Sequence, residues 1–143
     1  KMNIIPEKNG MLIKGIRYVY GSEALELLNN GAVLVDLRDE FLKNGRFYAV
    51  PRIISISHKT IRSEFETLPK DKILILADYV GLISKDIAEF LKSNGFELIM
   101  VLTGGIIDWE RDNMPISIDR DCELVGSCTC QLKPRKIKIP SDK

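Results

Sequence analysis

Apolar residues along this chain follow two alternating patterns. Short, nearly continuous apolar runs predict β-strands that are covered on both faces, as in a parallel sheet. Four such runs lie at residues 32–37, 53–56, 72–77 and 98–102, and residues 15–20 alternate enough to be a first strand. Apolar residues at helical spacing predict helices at residues 22–30, 60–68, 84–94 and after Gly104–Gly105, where the last helix carries Trp109 in the core. Because helical crossovers force parallel pairing, the pattern predicts a three-layer α/β fold with a mainly parallel five-stranded sheet between helices.

The loop that follows the run at residues 72–77 is the first place in which to expect chemistry. Ligands of open α/β sheets bind beyond the carboxyl ends of the strands. The backbone N–H groups of residues 78–83, together with the positive end of the helix that begins at Ser84, are expected to form a cradle for an anion. The carboxylate of Asp78 is the simplest occupant of that cradle, because it can cap the turn that follows it.

The same loop is unusually apolar, with Tyr79, Val80 and Leu82 placed around Gly81. Packing of these side chains into the core is one explanation. The alternative is that they are exposed, which indicates a binding surface for a protein partner or a small ligand.

Charged residues end the predicted strand at residues 32–37. Asp36 is expected to bond backbone N–H groups or to pair with Arg38. Arg38, Asp39 and Glu40 either border the loop at residues 78–84 or form a solvated charge cluster, and the solvated cluster is the interpretation that the composition favours.

Length and charge narrow the classes of function. The chain has 143 residues and a formal net charge of +1, which suits one domain and provides no global electrostatic attraction to nucleic acid. No apolar run approaches the roughly 20 residues that span a bilayer. We therefore expect one domain over residues 15–118, an N-terminal extension over residues 1–14 and a basic tail over residues 119–143. We expect no nucleic-acid partner, no membrane partner and no cofactor.

All three cysteines lie in that tail, at Cys122, Cys128 and Cys130. An odd, clustered set is not typical of a secreted disulfide framework, so a reducing, cytoplasmic setting is expected. Several hypotheses stay open for these thiols: inert side chains, a redox pair, a mobile persulfide carrier or part of a metal site. Tetrahedral zinc needs a fourth ligand, for which only His58 is available, so no metal site is assigned.

Four stretches, taken in order, resemble the rhodanese family. They are VLVDLRDE at residues 33–40, ILILADYVGLIS at 73–84, FLKSNGFELIMVLTGG at 90–105 and GGIIDWERDNMPI at 104–116. The resemblance extends over residues 16–118, and the order and spacing of the stretches are more specific than any one of them. It weakens at residues 46–56, where the family has a His, a Gly and an Ala. The resemblance implies a rhodanese-like fold and a homologue of the sulfurtransferases.

The resemblance also implies a departure in the loop at residues 78–84. Active members carry a cysteine directly after the central strand, a glycine three residues later and often an Arg-Ser pair at the end of the loop. Alignment on Gly81 and Ser84 places Asp78 at the position of the cysteine and Ile83 at that of the arginine. A carboxylate oxygen cannot carry persulfide sulfur, which needs a thiolate. Phosphatases related to this family need the same cysteine and arginine.

Two functions follow from these observations. The first is a catalytically silent rhodanese-like module that binds a protein partner or a small ligand at the altered loop. The second is a sulfurtransferase, persulfide carrier or redox protein that uses the tail thiols of Cys128 and Cys130. The replacement of both the nucleophile and the cation favours the first.

Overall fold

The computed structural model describes residues 10–119, and these include every predicted strand and helix. The helices are α1 (Gly21–Asn29), α2 (Glu40–Lys43), α3 (Ile61–Glu64), α4 (Ser84–Ser93) and α5 (Gly105–Arg111). The strands are β1 (Met11–Ile13), β2 (Ile16–Val19), β3 (Val33–Asp36), β4 (Arg46–Tyr48), β5 (Ile53–Ser55), β6 (Leu74–Ala77), β7 (Ile99–Leu102) and β8 (Ile116–Ile118). No helix within residues 10–119 is long and apolar enough to cross a bilayer.

The main sheet is parallel apart from one edge strand, which confirms the predicted fold. Its strand order is β1-β2-β7-β6-β3-β5, and only β1 runs antiparallel to its neighbour. The predicted strands correspond to β2, β3, β5, β6 and β7. The sheet has six strands rather than the predicted five, because residues 11–13 pair with β2 through a tight turn in which Lys14 and Gly15 both have positive φ.

Helices cover both faces of the sheet and divide the core in two. Successive side chains of a strand point to opposite faces. Val33 and Val35 therefore join the core on the side of α3 and α4, whereas Leu34 joins the core on the side of α1 and α5. The indole of Trp109 is buried in the second core, as predicted, and its N–H donates to the carbonyl of Pro115 at 2.7 Å.

Several short elements differ from the prediction. The helix expected over residues 60–68 is broken into α3 and a single 3₁₀ turn, Phe65–Thr67. The α2 helix and the small antiparallel pair of β4 and β8 were not predicted. These elements have three or four residues each, too few to show a hydrophobic period.

Candidate functional site

The candidate site lies at the carboxyl edge of the sheet. In the register of the central strands, Asp36 of β3 pairs with Ala77 of β6 on one side and with Ser55 of β5 on the other. Asp78 comes directly after β6 and opens the loop of residues 78–83, which leads into α4 at Ser84. Residues that follow several strands are therefore brought to one edge, where ligands of open α/β sheets bind.

The carboxylate of Asp78 is turned into its own loop. The side chain is buried, and its Oδ1 atom accepts a hydrogen bond from the N–H of Gly81. Its Oδ2 atom accepts from the N–H of Ile83 at 2.6 Å and from the N–H of Ser84 at 2.9 Å. Since Ser84 begins α4, the negative charge also lies at the positive end of that helix. This is the capping arrangement expected from the sequence.

The backbone of the loop is bonded to elements far away in the chain. The carbonyl of Asp78 accepts hydrogen bonds from the N–H of Ile106 at 3.0 Å and from the hydroxyl of Tyr48 at 3.2 Å. The carbonyl of Tyr79 accepts from the N–H of Ile107 at 3.2 Å. The first turn of α5 therefore donates its free N–H groups to the loop, which satisfies both partners. Sequence reasoning missed Tyr48, Ile106 and Ile107 because nothing in their spacing indicates these contacts.

Two glycine contacts hold the loop against the turn before α5. Gly81 has a φ of +94°, and a Cβ atom built on it would lie 2.8 Å from the backbone N of Gly104. A Cβ atom on Gly105 would lie 2.5 Å from the carbonyl oxygen of Asp78. Both distances are shorter than side chains tolerate, so the two backbones approach closely only because glycine stands at these positions.

A buried ion pair lies beside the loop. The Nε and Nη2 atoms of Arg38 donate to Oδ1 and Oδ2 of Asp36 at 3.0 and 2.9 Å, and the backbone N–H of Arg38 donates to Oδ1 at 3.1 Å. The expected pairing of Asp36 is therefore confirmed. The expectation of a solvated cluster is wrong for Arg38, which is 3% exposed, because the carboxylate of Asp36 bonds its Nε and Nη2 atoms inside the protein. Its Nη1 atom is buried without a hydrogen-bond partner among residues 10–119.

The ring of Tyr48 connects the ion pair to the loop. The guanidinium carbon of Arg38 lies 5.2 Å from the centre of that ring, and the ring meets Trp109 edge to face at 5.3 Å. Burial raises the pKa of Tyr48 well above its usual value of 10, and the nearby carboxylate of Asp36 raises that pKa further. The hydroxyl of Tyr48 therefore keeps its proton and remains a donor to the carbonyl of Asp78.

The outer surface of the loop is apolar and exposed. Tyr79, Val80 and Leu82 are 43%, 44% and 78% exposed, so the explanation by burial in the core is wrong for these side chains. The two other residues of this stretch face inward: the carboxylate of Asp78 accepts the N–H of Gly81, and Gly81 packs against Gly104. Ile107, bonded through its N–H to Tyr79, is 41% exposed. We call Tyr79, Val80, Leu82 and Ile107 the apolar loop surface.

The other residues of the candidate site are placed differently. Ile83 is half-buried and packs against the core on the side of α4. Ser84 is buried, and its hydroxyl has no hydrogen-bond partner within residues 10–119. Cys122, Cys128 and Cys130 lie outside the described residues. Among residues 10–119, no group of three His, Cys, Asp or Glu side chains lies close enough together to hold a metal ion.

A second carboxylate at the same edge joins the segments after β3 and β5. Asp39 accepts a hydrogen bond from the hydroxyl of Ser57 at 2.5 Å and pairs with the ammonium of Lys59 at 2.9 Å. These two partners, first the hydroxyl of Ser57, lower the pKa of Asp39 below its usual value of 3.8. His58, between them, is half-buried and donates its backbone N–H to the carbonyl of Leu37 at 3.0 Å.

Asp39 is expected to contribute stability that depends on pH. Because its pKa is lower in the folded chain than in the unfolded chain, the contribution is complete above the unfolded value of 3.8 and is lost as pH falls through the folded value. The variant Asp39→Asn should be less stable than the wild type at neutral pH, and urea unfolding should show the two converge in acid. A constant difference down to a pH of about 2 would contradict this origin of the stability.

Comparisons with known proteins agree with the architecture. A family model described as rhodanese-like domain matches residues 21–112. The thiosulfate sulfurtransferase GlpE of Haemophilus influenzae is 37% identical over 98 residues, which cover 66% of this chain and 88% of that protein. The GlpE of Actinobacillus pleuropneumoniae is 35% identical over 98 residues, which cover 66% of this chain and 86% of its own.

Solved structures show the same fold. A rhodanese-related protein from Thermoplasma volcanium superposes with a TM-score of 0.64 at 23% sequence identity. The match covers 72% of this chain and 99% of that one. The family model matches more than half of the chain, the relatives and the superposed structure agree with it, and this chain therefore belongs to the rhodanese-like domain family.

Proposed function

We propose that this chain is a catalytically silent rhodanese-like domain that binds a protein partner or a small ligand at the loop of residues 78–84. Asp78 takes the position at which active relatives carry the cysteine that forms a persulfide. One observation carries the proposal: the carboxylate of Asp78 accepts hydrogen bonds from the N–H groups of Gly81, Ile83 and Ser84. The donors that would otherwise bind an anionic substrate are therefore already engaged.

Electrostatics supports the same proposal. An anionic sulfur donor such as thiosulfate would approach a carboxylate. Two unit charges about 4 Å apart repel by about 4 kcal/mol at an effective dielectric constant near 20. The buried cation beside the loop, Arg38, is engaged in its ion pair with Asp36. Ile83 adds an apolar side chain where relatives often have an arginine, so no compensating positive charge is supplied from the loop.

The apolar loop surface supports a binding role. The side chains of Tyr79, Val80 and Leu82 are exposed next to one another. Adjacent exposed apolar side chains lower solubility and are typical of interaction sites. The loop beneath them is fixed by Gly81 and by the first turn of α5, so binding would need little ordering of the backbone. A rigid, apolar loop above a neutralised anion cradle suits an uncharged partner surface better than an anionic substrate.

Sulfur transfer by the tail thiols is the second candidate. Its support is that relatives of this chain are named thiosulfate sulfurtransferases and that Cys122, Cys128 and Cys130 supply the thiolate chemistry that the loop lacks. A cytoplasmic setting, which the cysteine pattern predicts, would keep these thiols reduced.

An assay of sulfur transfer from thiosulfate to cyanide distinguishes the two candidates. We expect the purified chain to show no turnover above a heat-inactivated sample. Turnover that disappears in the variant Cys122→Ser, Cys128→Ser, Cys130→Ser would favour the tail thiols. Turnover that remains in that cysteine-free variant would refute the silent loop, because the loop would then act without any thiol.

The binding role needs a separate experiment. The variant Leu82→Ser should remove binding of the partner recovered with the wild-type chain, with an unchanged melting temperature because Leu82 is exposed. A matched control is Ile53→Ser, which alters an apolar side chain of 40% exposure on the edge strand β5. Equal retention of the partner by the Leu82 and Ile53 variants would contradict a binding site on the apolar loop surface.

A further inference from the structure

Asparagine followed by glycine occurs four times in this chain, at Asn9, Asn30, Asn44 and Asn94. Such pairs are chemically labile, because glycine has no side chain to hinder its backbone nitrogen from attacking the neighbouring amide. The last three pairs lie within the described residues. Their surroundings differ, and the difference determines which of them can react in the folded chain.

Asn30 and Asn94 are held at the ends of α1 and α4. The Nδ2 atom of Asn30 donates to the carbonyl of Glu26 at 2.8 Å, and that of Asn94 donates to the carbonyl of Phe90 at 2.8 Å. The glycines that follow are also engaged: the N–H of Gly31 and that of Gly95 donate to helix carbonyls at 3.4 and 3.3 Å. In both pairs, the amide and the attacking nitrogen are therefore bonded to the helix.

The side chain of Asn44 lacks the bond to a helix carbonyl that holds the other two amides. Asn44 follows the four-residue helix α2, it is exposed, and within residues 10–119 no hydrogen bond joins its side chain to another group. Its φ of +48° and the φ of +75° at Gly45 are left-handed. Asparagine tolerates that conformation at a small cost in free energy. Gly45 is buried and its carbonyl accepts the N–H of Asp119 at 2.6 Å, so attack requires local opening of the turn between α2 and β4.

We propose that Asn44 is a modification site, at which the folded chain loses ammonia spontaneously and becomes a mixture of aspartate and isoaspartate. The backbone nitrogen of Gly45 gives up its proton to water and forms a bond to Cγ of Asn44. The bond from Cγ to Nδ2 breaks, and ammonia leaves with the proton. A five-membered succinimide ring results. Water then adds to one of its two carbonyl carbons and opens the ring, which leaves a carboxylate without any change in oxidation state.

The modification acts on the support of the candidate site. A carboxylate at residue 44 places negative charge at the carboxyl end of α2, where the helix dipole disfavours it. Isoaspartate in addition lengthens the backbone between α2 and β4. Tyr48 ends β4 and donates its hydroxyl to the carbonyl of Asp78. Deamidation at the exposed turn therefore acts on the loop of residues 78–83 through β4.

Peptide mapping by mass spectrometry after incubation in mildly alkaline buffer tests the proposal. In the folded full-length chain, residue 44 should convert at least about tenfold faster than residue 30 or residue 94, since each of the latter must first release two hydrogen bonds. In urea, which removes these bonds, the three rates should agree within about threefold. The variant Asn44→Gly, which suits the left-handed backbone, should lack the modified peptide and keep the melting temperature.

Two results would overturn the proposal. One is conversion of Asn30 or Asn94 in the folded chain at the rate of Asn44, which would mean that the hydrogen bonds to the helix carbonyls do not slow deamidation. The other is conversion of Asn44 in the folded chain at less than about a hundredth of its rate in urea, a protection of the kind given by stable structure.

Discussion

Replacement of Asp78 by alanine is expected to lower the free energy of unfolding by about 3 kcal/mol at neutral pH. The carboxylate is buried and accepts the N–H groups of Gly81, Ile83 and Ser84. Without it, three donors lose their partner, one buried at Ser84 and two half-buried at Gly81 and Ile83, and each unsatisfied buried donor costs about 1–3 kcal/mol. Water that enters the space left by the side chain should bond some of these donors, so the total cost should lie near the lower limit of about 1 kcal/mol for each donor. Urea denaturation at equilibrium measures the effect.

A matched control separates this effect from a general loss of charge. Asp86 is an exposed carboxylate in the first turn of α4, so Asp86→Ala should cost less than about 1 kcal/mol through the helix dipole alone. Sulfate should then raise the melting temperature of Asp78→Ala more than that of the wild type, because only the variant has donors free to bind it. An equal response of both proteins to sulfate, with sodium chloride as the reference at equal ionic strength, would contradict a self-occupied cradle.

Introduction of a thiol into the loop is expected to create sulfurtransferase activity. The double variant Asp78→Cys, Ile83→Arg supplies the nucleophile and the cation that active relatives carry in the loop. The N–H groups of Gly81, Ile83 and Ser84 would then stabilise a thiolate at residue 78, in place of the carboxylate that they bond in the wild type. The buried hydroxyl of Ser84 is a further donor without a partner within residues 10–119.

The measurement is transfer of sulfur from thiosulfate to cyanide in a chain whose three native cysteines are replaced by serine. In that background, the double variant should exceed the control Asp78→Ser, Ile83→Arg by at least about a hundredfold, because serine keeps the same N–H donors but has no thiolate to carry persulfide sulfur. A persulfide on the thiol introduced at residue 78 should be detectable by mass after treatment with thiosulfate alone. A double variant that folds but stays at the rate of the control would show that the loop lacks more than its two replaced side chains.

The parallel strands could be predicted from the sequence because burial on both faces leaves a continuous apolar run. The segment Leu74–Ala77, for example, is buried at all four positions. The carboxylate of Asp78 could also be placed, since a residue directly after a buried strand and just before a helix stands at the carboxyl edge of the sheet.

Other features could not be predicted because they depend on contacts between distant residues. Met11–Ile13 is exposed at every position, so the edge strand has no buried pattern to detect. The burial of Arg38 depends on its bidentate contact with Asp36 and on the ring of Tyr48, which lies in a strand of three residues. The close approach of Gly81 to Gly104 and the exposure of Tyr79 and Leu82 are likewise features of the folded loop that no periodicity encodes.

The hydrogen bonds to the carbonyl of Asp78 have a consequence for how the family diversifies. Tyr48 and Ile106 bond the main chain at residue 78, and the Gly104–Gly105 turn packs against the main chain as well. None of these contacts depends on which side chain residue 78 carries. Across the family, the side chain at this position can therefore be exchanged while these main-chain contacts are kept.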